Sequence, residues 1–309
     1  AAEAMDSALS WIREVEQASG SRLAEKNGVV RPALTAEIGK DFKKAPEKYD
    51  WPNPNWVEWL DRDAFSERFP FITKQEGGLM IHEAYTVRTP LLVSETVKQL
   101  SEKESFYTVF EEDYEIETTS GAHHIRLGDG REFTADHLIY ATGSALADSE
   151  LWSWLPLSQT KGQTITLHLD GPVGFAPSLS AVGYIANHPA EPNQLTVGST
   201  YEHHFDHPHP DSKGHETLLK KTNEVLPHII PRIESITSWA GVRLFTPDYL
   251  PVAGRHPDIE NIYVIGGFGS KGMIYSSLLA GYVSDLILHQ QPVPDHFCAQ
   301  RFAATYSKS

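Results

Sequence analysis

Residues 261–288 join an apolar β-type run to a helix through a glycine-rich turn. The run covers residues 262–265, the turn 266–272, and apolar residues recur at helical spacing from Ile274 to Ile287. A buried strand that enters a helix through glycines leaves the first N–H groups of the helix unpaired and aimed at one point. The segment therefore indicates an α/β protein. Its turn either faces an anion or cofactor, or is a tight connection that needs glycines only for positive φ.

Length and charge restrict the class of protein. With 309 residues, 40% hydrophobic and 22% charged, the chain can form one large or two ordinary globular domains. A net charge of −15 without a basic stripe disfavours nucleic acid as a partner. The single cysteine, Cys298, excludes an intrachain disulfide framework, and no apolar run approaches membrane-spanning length. We expect a soluble, cytoplasmic chain with no membrane partner.

The order of elements predicts two interleaved domains. Helices are predicted at 4–18, 61–69, from 89 onward and at 214–225. Strands are predicted at 106–110, 114–118, 123–127, 136–143, 164–169, 182–186 and 194–198. The strand-rich middle lies between two βα units, which is typical of a nucleotide-binding domain interrupted by a second, sheet-containing domain.

Four segments, in order along the chain, resemble a known family. They are GGLMIHEAYTVRTPLLVSETV (77–97), DGREFTADHLIYATGSALADS (129–149), KGQ (161–163) and WAGVRLFTPDYLPVAGRHPDIENIYVIGGFGSKGM (239–273). The chain resembles the D-amino-acid oxidase superfamily of FAD-dependent amine oxidases. That superfamily includes glycine oxidase and the oxidase half of a bacterial tRNA-uridine-modifying enzyme. The last segment is the most specific of the four.

The resemblance implies an α/β fold with α+β elements. An FAD/NAD(P)-binding Rossmann-like domain, residues 86–152 and 249–309, would be interleaved with an antiparallel-sheet substrate domain, residues 1–85 and 153–248. The family's N-terminal βαβ unit, with G-x-G-x-x-G and an acidic residue that holds the FAD ribose, does not occur here. Glycines 266, 267, 269 and 272 are a poor substitute and lie at the wrong end of the chain. We therefore expect a unit of at least roughly 30 residues upstream of Ala1 in a longer protein. FAD occupancy of this chain stays in question.

The resemblance also assigns cofactor and substrate contacts. Cofactor contacts are expected from Glu115, Ala141, Thr142, Gly143, Gly267, Phe268, Gly269, Ser270, Lys271, Gly272 and Met273. Arg243 falls where the family pairs an arginine with a substrate carboxylate, which suits the guanidinium fork, although a surface ion pair is the alternative. Tyr184 and Tyr201 fall on strands that line the substrate site, or are ordinary amphipathic tyrosines of a sheet. We predict no catalytic side chain, because a neutral amine can lose hydride without a general base.

Two further features have a less specific interpretation. The histidine-rich run 201–211 offers metal-ligand residue types, but its prolines and its lack of helical i, i+4 spacing define no geometry, and we predict no metal. Lys271 either lies near the flavin, where a cation stabilises negative charge, or is an exposed lysine at a helix start.

The predicted function is FAD-dependent oxidation of a small amine or amino acid of the glycine, sarcosine or D-amino-acid type. The products would be an imine and hydrogen peroxide, with oxygen as partner, and a homo-oligomer is compatible with this prediction. One alternative is oxidation of a carboxymethylaminomethyl group on tRNA uridine. Residues 248–251 and 269–272 favour it, whereas the acidic net charge opposes it. Another alternative is a flavin-free fragment or non-catalytic protein with the same fold.

Overall fold

A computed structural model describes residues 2–72, 74–110, 113–119 and 121–303. The helices are α1 (Ala2–Ser19), α2 (Ala36–Lys48), α3 (Arg62–Arg68), α4 (Thr89–Ser101), α5 (Ser212–Val225) and α6 (Gly272–His289). The strands are β1 (Ala24–Glu25), β2 (Val29–Pro32), β3 (Val57–Leu60), β4 (Gly78–Ile81), β5 (Thr86–Val87), β6 (Tyr114–Thr119), β7 (Ala122–Leu127), β8 (Glu132–Ala135), β9 (Leu138–Tyr140), β10 (Ser158–Leu169), β11 (Ser178–Ser180), β12 (Tyr184–Asn187), β13 (Gln194–Gly198), β14 (Ile233–Phe245), β15 (Val252–Arg255) and β16 (Ile262–Gly266).

The chain divides into two compact units, each built from separate stretches of sequence. Unit 1 contains Ala1–Gly20, Val93–Thr160 and Val242–Ser309, and unit 2 contains Ser21–Leu92 and Lys161–Gly241. The predicted domains, residues 86–152 with 249–309 and residues 1–85 with 153–248, stay a prediction; in the structure α1 lies in unit 1. The functional names of the two predicted domains stay predictions, and their outermost residues, 1 and 304–309, lie outside the described residues.

Unit 1 contains a three-stranded sheet in the order β15-β16-β9, with β16 parallel to β9 and antiparallel to β15. One core on this sheet includes Leu146, Trp152 and Val264, and another includes Tyr263, Leu279 and Val283. Leu279 and Val283 lie on α6, which therefore covers the second face. The predicted strand-to-helix segment is confirmed as β16 followed by α6.

Helix α1 packs on α6 through a face set by its sequence. Its buried residues Ala4, Ala8, Ile12 and Val15 recur every three or four positions, which places them on one side of a helix. At the rim of this contact the hydroxyls of Ser7 and Ser277 lie 2.9 Å apart. The predicted helix at 4–18 is thus confirmed with slightly wider bounds.

A second sheet of unit 1 has the order β6-β7-β8 and is antiparallel throughout. It confirms the strands predicted at 114–118 and 123–127. The strand predicted at 106–110 is wrong, because those residues have no regular structure. Tyr107 and Phe110 are 80% and 93% exposed. The aromatic residues that suggested a strand therefore do not pack against a sheet, and strand propensity alone was not enough.

Unit 2 contains a two-stranded pair of β1 with β5 and most of the sheet β14-β10-β13-β12-β11-β2-β4-β3. Residues 158–160 of β10 and 242–245 of β14 belong to unit 1. The core of unit 2 includes Val30, Phe65, Leu167, Leu195 and Leu218. The predicted antiparallel sheet is largely antiparallel, but β11 pairs with β2 in parallel. Strand β14 and the N-terminal strands of this sheet were not predicted.

Candidate functional site

The parallel strands β9 and β16 end at the same edge of their sheet. Leu138 pairs with Ile262 and Tyr140 with Val264, so residues 141–143 and 267–273 both follow this edge. In open α/β sheets, ligands bind outside the carboxyl ends of the strands. The structure therefore brings ten of the eleven predicted cofactor contacts, from two distant stretches of sequence, to one edge. We call this the carboxyl edge.

The stretch after β9 is open. Ala141, Thr142 and Gly143 are all exposed. Gly143 has φ +59, and a methyl group built on its Cα would meet no atom within 4 Å. An exposed, uncrowded backbone at this position leaves room for a flat ligand.

The stretch after β16 is held tightly by its backbone. Gly267 and Gly269 have φ of +67 and +54, which glycine adopts without steric cost. Gly269 N–H donates to the Leu244 carbonyl at 2.7 Å, and the Phe245 ring lies so close that an added methyl on Gly269 would be 2.6 Å from Cδ1. The turn is thus fixed against the end of β14.

Helix α6 starts at this turn with free donors. The N–H groups of Ser270, Gly272 and Met273 have no acceptor among the described residues. Lys271, the residue before α6, gives no side-chain cap; its Nζ donates to the Tyr249 carbonyl at 2.8 Å. Free N–H groups and the helix dipole together favour an acceptor oxygen or negative charge at this position.

Arg243 lies beside the turn, because the next residue on β14, Leu244, accepts the hydrogen bond from Gly269. Arg243 is half-buried, and its Nη1 atom is buried. Leu244 is buried against the unit 1 core, so the alternation of a strand places Arg243 and Phe245 on the other face together. This is the side on which Phe245 covers Gly269.

Glu115 has a looser relation to the carboxyl edge. Burial raises the pKa of Tyr140, the last residue of β9, and Tyr114 at the start of β6 raises it further. The Glu115 carboxylate is largely exposed and lies 3.8 Å from Arg126 on β7. No contact joins Glu115 to residues 141–143 or 267–273 within the described chain.

A second loop of unit 1, residues 246–251, borders the turn and is cross-linked by Arg301. Arg301 donates to both oxygens of Asp248, at 2.9 and 3.2 Å, and to the carbonyls of Leu250 and Pro251. Burial acts to raise the pKa of Asp248, but the hydrogen bonds from Arg301, the Leu250 N–H and Thr246, together with the charge of Arg301, outweigh it and lower that pKa to about 2. Arg301 and Phe245 were not among the predicted site residues. Arg301 is 53 positions from Asp248 in sequence, so no local sequence pattern indicates that the two residues pair.

Tyr184 and Tyr201 lie in unit 2. Tyr184 opens β12 and pairs with Gly198 at the end of β13, and Tyr201 follows three residues later, so the two tyrosines share one end of the sheet. Both are exposed, at 41% and 59%. An added methyl on Gly198 would lie 2.5 Å from the Tyr184 ring, which shows that the ring lies across this glycine.

The buried lysine Lys161 forms ion pairs with Glu202 and Asp211, near the two ends of the histidine-rich run. The Lys161 side chain is 2% exposed, and its Nζ lies 2.7 Å from Asp211 and 3.6 Å from Glu202. Gln163 Nε2 donates to both carboxylates, at 2.8 and 2.9 Å. Within the run the rings of His207 and His209 stack at 6.0 Å. In the part of the chain that is described, no group of three or more histidine, cysteine, aspartate or glutamate side chains could hold a metal ion.

The carboxyl edge fits the ring end of FAD but not its phosphates. The open backbone at 141–143 and the free donors at the start of α6 suit a flat ring with acceptor oxygens at its rim. Across the described ranges, no second strand enters an α-helix through a glycine-rich turn of the kind that cradles two phosphates. Nor does any helix in those ranges have the length and apolar composition needed to cross a membrane.

Comparison with known proteins gives a consistent result. A family model described as FAD dependent oxidoreductase matches residues 1–286. The chain is 32% identical over 180 residues to the tRNA 5-methylaminomethyl-2-thiouridine biosynthesis bifunctional protein of Marinobacter nauticus, covering 54% of this chain and 28% of that protein. It is 25% identical over 244 residues to the glycine oxidase of Geobacillus kaustophilus, covering 77% of this chain and 64% of that protein.

The fold has solved counterparts. The crystal structure of the Geobacillus kaustophilus glycine oxidase superposes with a TM-score of 0.80 at 20% identity, covering 94% of this chain and 78% of that chain. The iminodiacetate oxidase from Chelativorans superposes with a TM-score of 0.75, also at 20% identity, covering 95% and 81%. At this identity the superpositions show the fold alone.

Proposed function

The chain belongs to the family of FAD-dependent oxidoreductases, and from this premise we propose that it oxidises the C–N bond of a small amine or amino acid to an imine. Oxygen is the electron acceptor in this proposal and hydrogen peroxide the product. Unit 1 serves as the cofactor domain and unit 2 as the substrate domain. The single cysteine supports a reducing, cytoplasmic location.

One observation supports the proposal above the others: the carboxyl edge and Arg243 lie together in unit 1. The edge offers free N–H donors beside an open backbone, and the hydrogen bond between Gly269 and Leu244 holds the arginine strand against it. An acceptor-rich ring and a carboxylate are the two partners that such donors and such a guanidinium suit.

The chemistry that bound FAD supplies is acceptance of a hydride from the α-carbon and transfer of two electrons to oxygen. Residues 141–143 and 267–273 would hold its ring, and the N–H groups at the start of α6 would stabilise negative charge there. Arg243 binds the substrate carboxylate and so orients the α-carbon. Water hydrolyses the imine to a carbonyl compound and ammonia or an amine. The lone pair of the neutral amine assists loss of hydride and leaves a protonated imine, which releases its proton to solvent, so we assign no catalytic base.

A visible spectrum of the purified protein, before and after incubation with FAD, tests cofactor binding. Because the described ranges hold no phosphate cradle, we expect weak binding, seen as a change in the flavin absorbance spectrum on titration with FAD. No spectral change up to high FAD concentration would instead support the flavin-free alternative. Peroxide release from glycine, sarcosine and a series of D-amino acids then identifies the substrate.

Replacement of Arg243 tests the carboxylate anchor. We expect Arg243→Ala to raise KM for a carboxylated amine on the order of 10- to 100-fold, because a charge-assisted bidentate pair contributes about 1.5–3 kcal/mol. Steady-state peroxide kinetics give KM and kcat. Arg131→Ala is the matched control, since Arg131 is exposed and bonds Asp129 in a turn. An unchanged KM in Arg243→Ala would show that the anchor is elsewhere.

A second candidate is oxidation of a carboxymethylaminomethyl group on tRNA uridine. It is supported by the 32% identity to the tRNA-modifying protein of Marinobacter nauticus and opposed by the net charge of −15. The two candidates separate when the same preparation is given glycine and a carboxymethylaminomethyl nucleoside. Peroxide release from the nucleoside alone would favour the second.

A further inference from the structure

Tyr249 adopts a backbone conformation that a bulky residue avoids. Its φ is +57, in the left-handed region, where a side chain other than glycine costs roughly 1–2 kcal/mol. The side chain is nonetheless large and 64% exposed, so burial of apolar surface does not offset this cost. A strained residue of this kind persists only where its surroundings fix it, and such residues cluster at functional sites.

The surroundings of Tyr249 do fix it. Its N–H donates to Thr246 at 3.0 Å, and its carbonyl accepts from Lys271 Nζ at 2.8 Å. The flanking residues Asp248 and Leu250 are cross-linked by Arg301. The loop therefore presents the Tyr249 ring outward while its backbone is tied to the start of α6.

The ring extends an aromatic surface at the carboxyl edge. Tyr249 meets the Phe245 ring edge-on, with centroids 5.9 Å apart at 70°, and Phe245 covers Gly269 in the turn. Arg243 shares the strand face of Phe245. A substrate whose carboxylate pairs with Arg243 would thus have aromatic rings beside the rest of the molecule.

We propose that Tyr249 determines substrate specificity by contacting a planar or bulky apolar substituent of the carboxylated amine. The inference rests on the proposed function of Arg243 and the carboxyl edge. It predicts preference for an amine with such a substituent over glycine, since an aromatic contact adds to affinity beyond simple burial.

Tyr249→Gly separates a role in binding from a role in stability. Glycine adopts φ +57 freely, so we expect the melting temperature of the variant to be equal to or higher than that of the wild type. Removal of the ring should lower the affinity ratio of phenylacetate to acetate about 2- to 12-fold, measured by isothermal titration calorimetry on the FAD-incubated protein. Tyr249→Phe should keep the ratio. Gln290→Gly is the control for relief of backbone strain, because Gln290 also has φ +57 but lies at the C-terminal end of α6. It should leave the affinity ratio unchanged.

Calorimetry with unreactive carboxylates keeps the two proposals separable. A wild type that releases no peroxide from any amine but shows the Tyr249-dependent ratio contradicts only the proposed oxidation. An unchanged ratio in Tyr249→Gly overturns the specificity role, and so does a melting temperature that falls by several degrees. If wild-type protein prefers acetate to phenylacetate, the proposal is wrong in its substrate class.

Discussion

Gly143 and Gly269 have the same left-handed backbone at the carboxyl edge but opposite surroundings. Gly143 faces open space, whereas the Phe245 ring covers Gly269. The first glycine therefore provides room for a ligand, and the second permits close packing of the turn on β14. Their roles can be separated, although both lie next to the proposed cofactor.

Alanine at these two positions should give different results. We expect Gly269→Ala to lower the free energy of unfolding by about 2–4 kcal/mol, because overpacking against Phe245 adds to the left-handed cost. Gly143→Ala should cost only about 1 kcal/mol. Its methyl occupies the space assigned to the ring, so FAD affinity should fall about tenfold. Urea unfolding and FAD titration measure the two effects. Equal destabilisation by both variants would contradict this distinction.

At the scale of elements, the ion pairs of Lys161 hold the stretch between β13 and α5 in place. Glu202 and Asp211 stand at the two ends of residues 203–210, and both carboxylates face the same buried ammonium. Asp211 also caps α5 by accepting from Gly214 N–H at 2.8 Å. The loop is thus closed at its base, while its histidines lie outside.

The lysine cluster makes stability depend on pH. The hydrogen bond from Lys161 lowers the pKa of Asp211 below its usual range; for Glu202 burial acts upward, but hydrogen bonds from Thr200 and Gln163 outweigh it and lower the pKa. A lowered folded-state pKa stabilises the protein above the unfolded value of about 4, and this contribution is lost as pH falls further.

Lys161→Met tests this directly. Two half-buried carboxylates without their cation should lower the free energy of unfolding by about 1–3 kcal/mol at pH 7. The variant should also lose less stability than the wild type between pH 5 and 3, measured by urea unfolding across pH. Lys220→Met, at an exposed position of α5, is the control. A Lys161→Met curve parallel to the wild type would show that the cluster is not the cause.

The elements that sequence reasoning identified were those with local signals. The β16–α6 segment was predicted because glycines, apolar run and helical spacing lie within 28 consecutive residues. Strand β14 was missed because its 13 residues are mostly exposed or half-buried, without clear alternation. Its role at the site also depends on the hydrogen bond from Gly269 to Leu244, which joins residues more than 20 positions apart and cannot be predicted from a local pattern. Tyr249 was visible only as part of a motif, since its strain is a property of the folded backbone.

At the scale of the whole molecule, each unit has its own core. Ile12 is 2% exposed on α1 of unit 1, and Leu218 is fully buried on α5 of unit 2. The core that contains Leu218 has no residue in common with the buried face of α1, Ala4, Ala8, Ile12 and Val15. A cavity in one core should therefore act first on the unit that contains it.

Ile12→Ala and Leu218→Ala form a matched pair for this expectation. Each should cost about 2–5 kcal/mol through lost burial and a cavity. Hydrogen exchange followed by mass spectrometry should show lost protection in α6 for Ile12→Ala and in β12 and β13 for Leu218→Ala. Loss of protection spread evenly over both units in either variant would mean that the chain unfolds as one cooperative body.

The packing of α1 on α6 has a consequence for how the protein is made. Ser7 and Ser277, which meet at this contact, are 270 positions apart in sequence. At ribosomal rates of about 5–20 residues per second, α1 emerges tens of seconds before its partner helix exists. During this interval its apolar face has no native partner, whereas most of unit 2 is already synthesised. Unit 1 should thus complete its folding only after α6 has been synthesised, and until then a chaperone can bind the nascent helix α1.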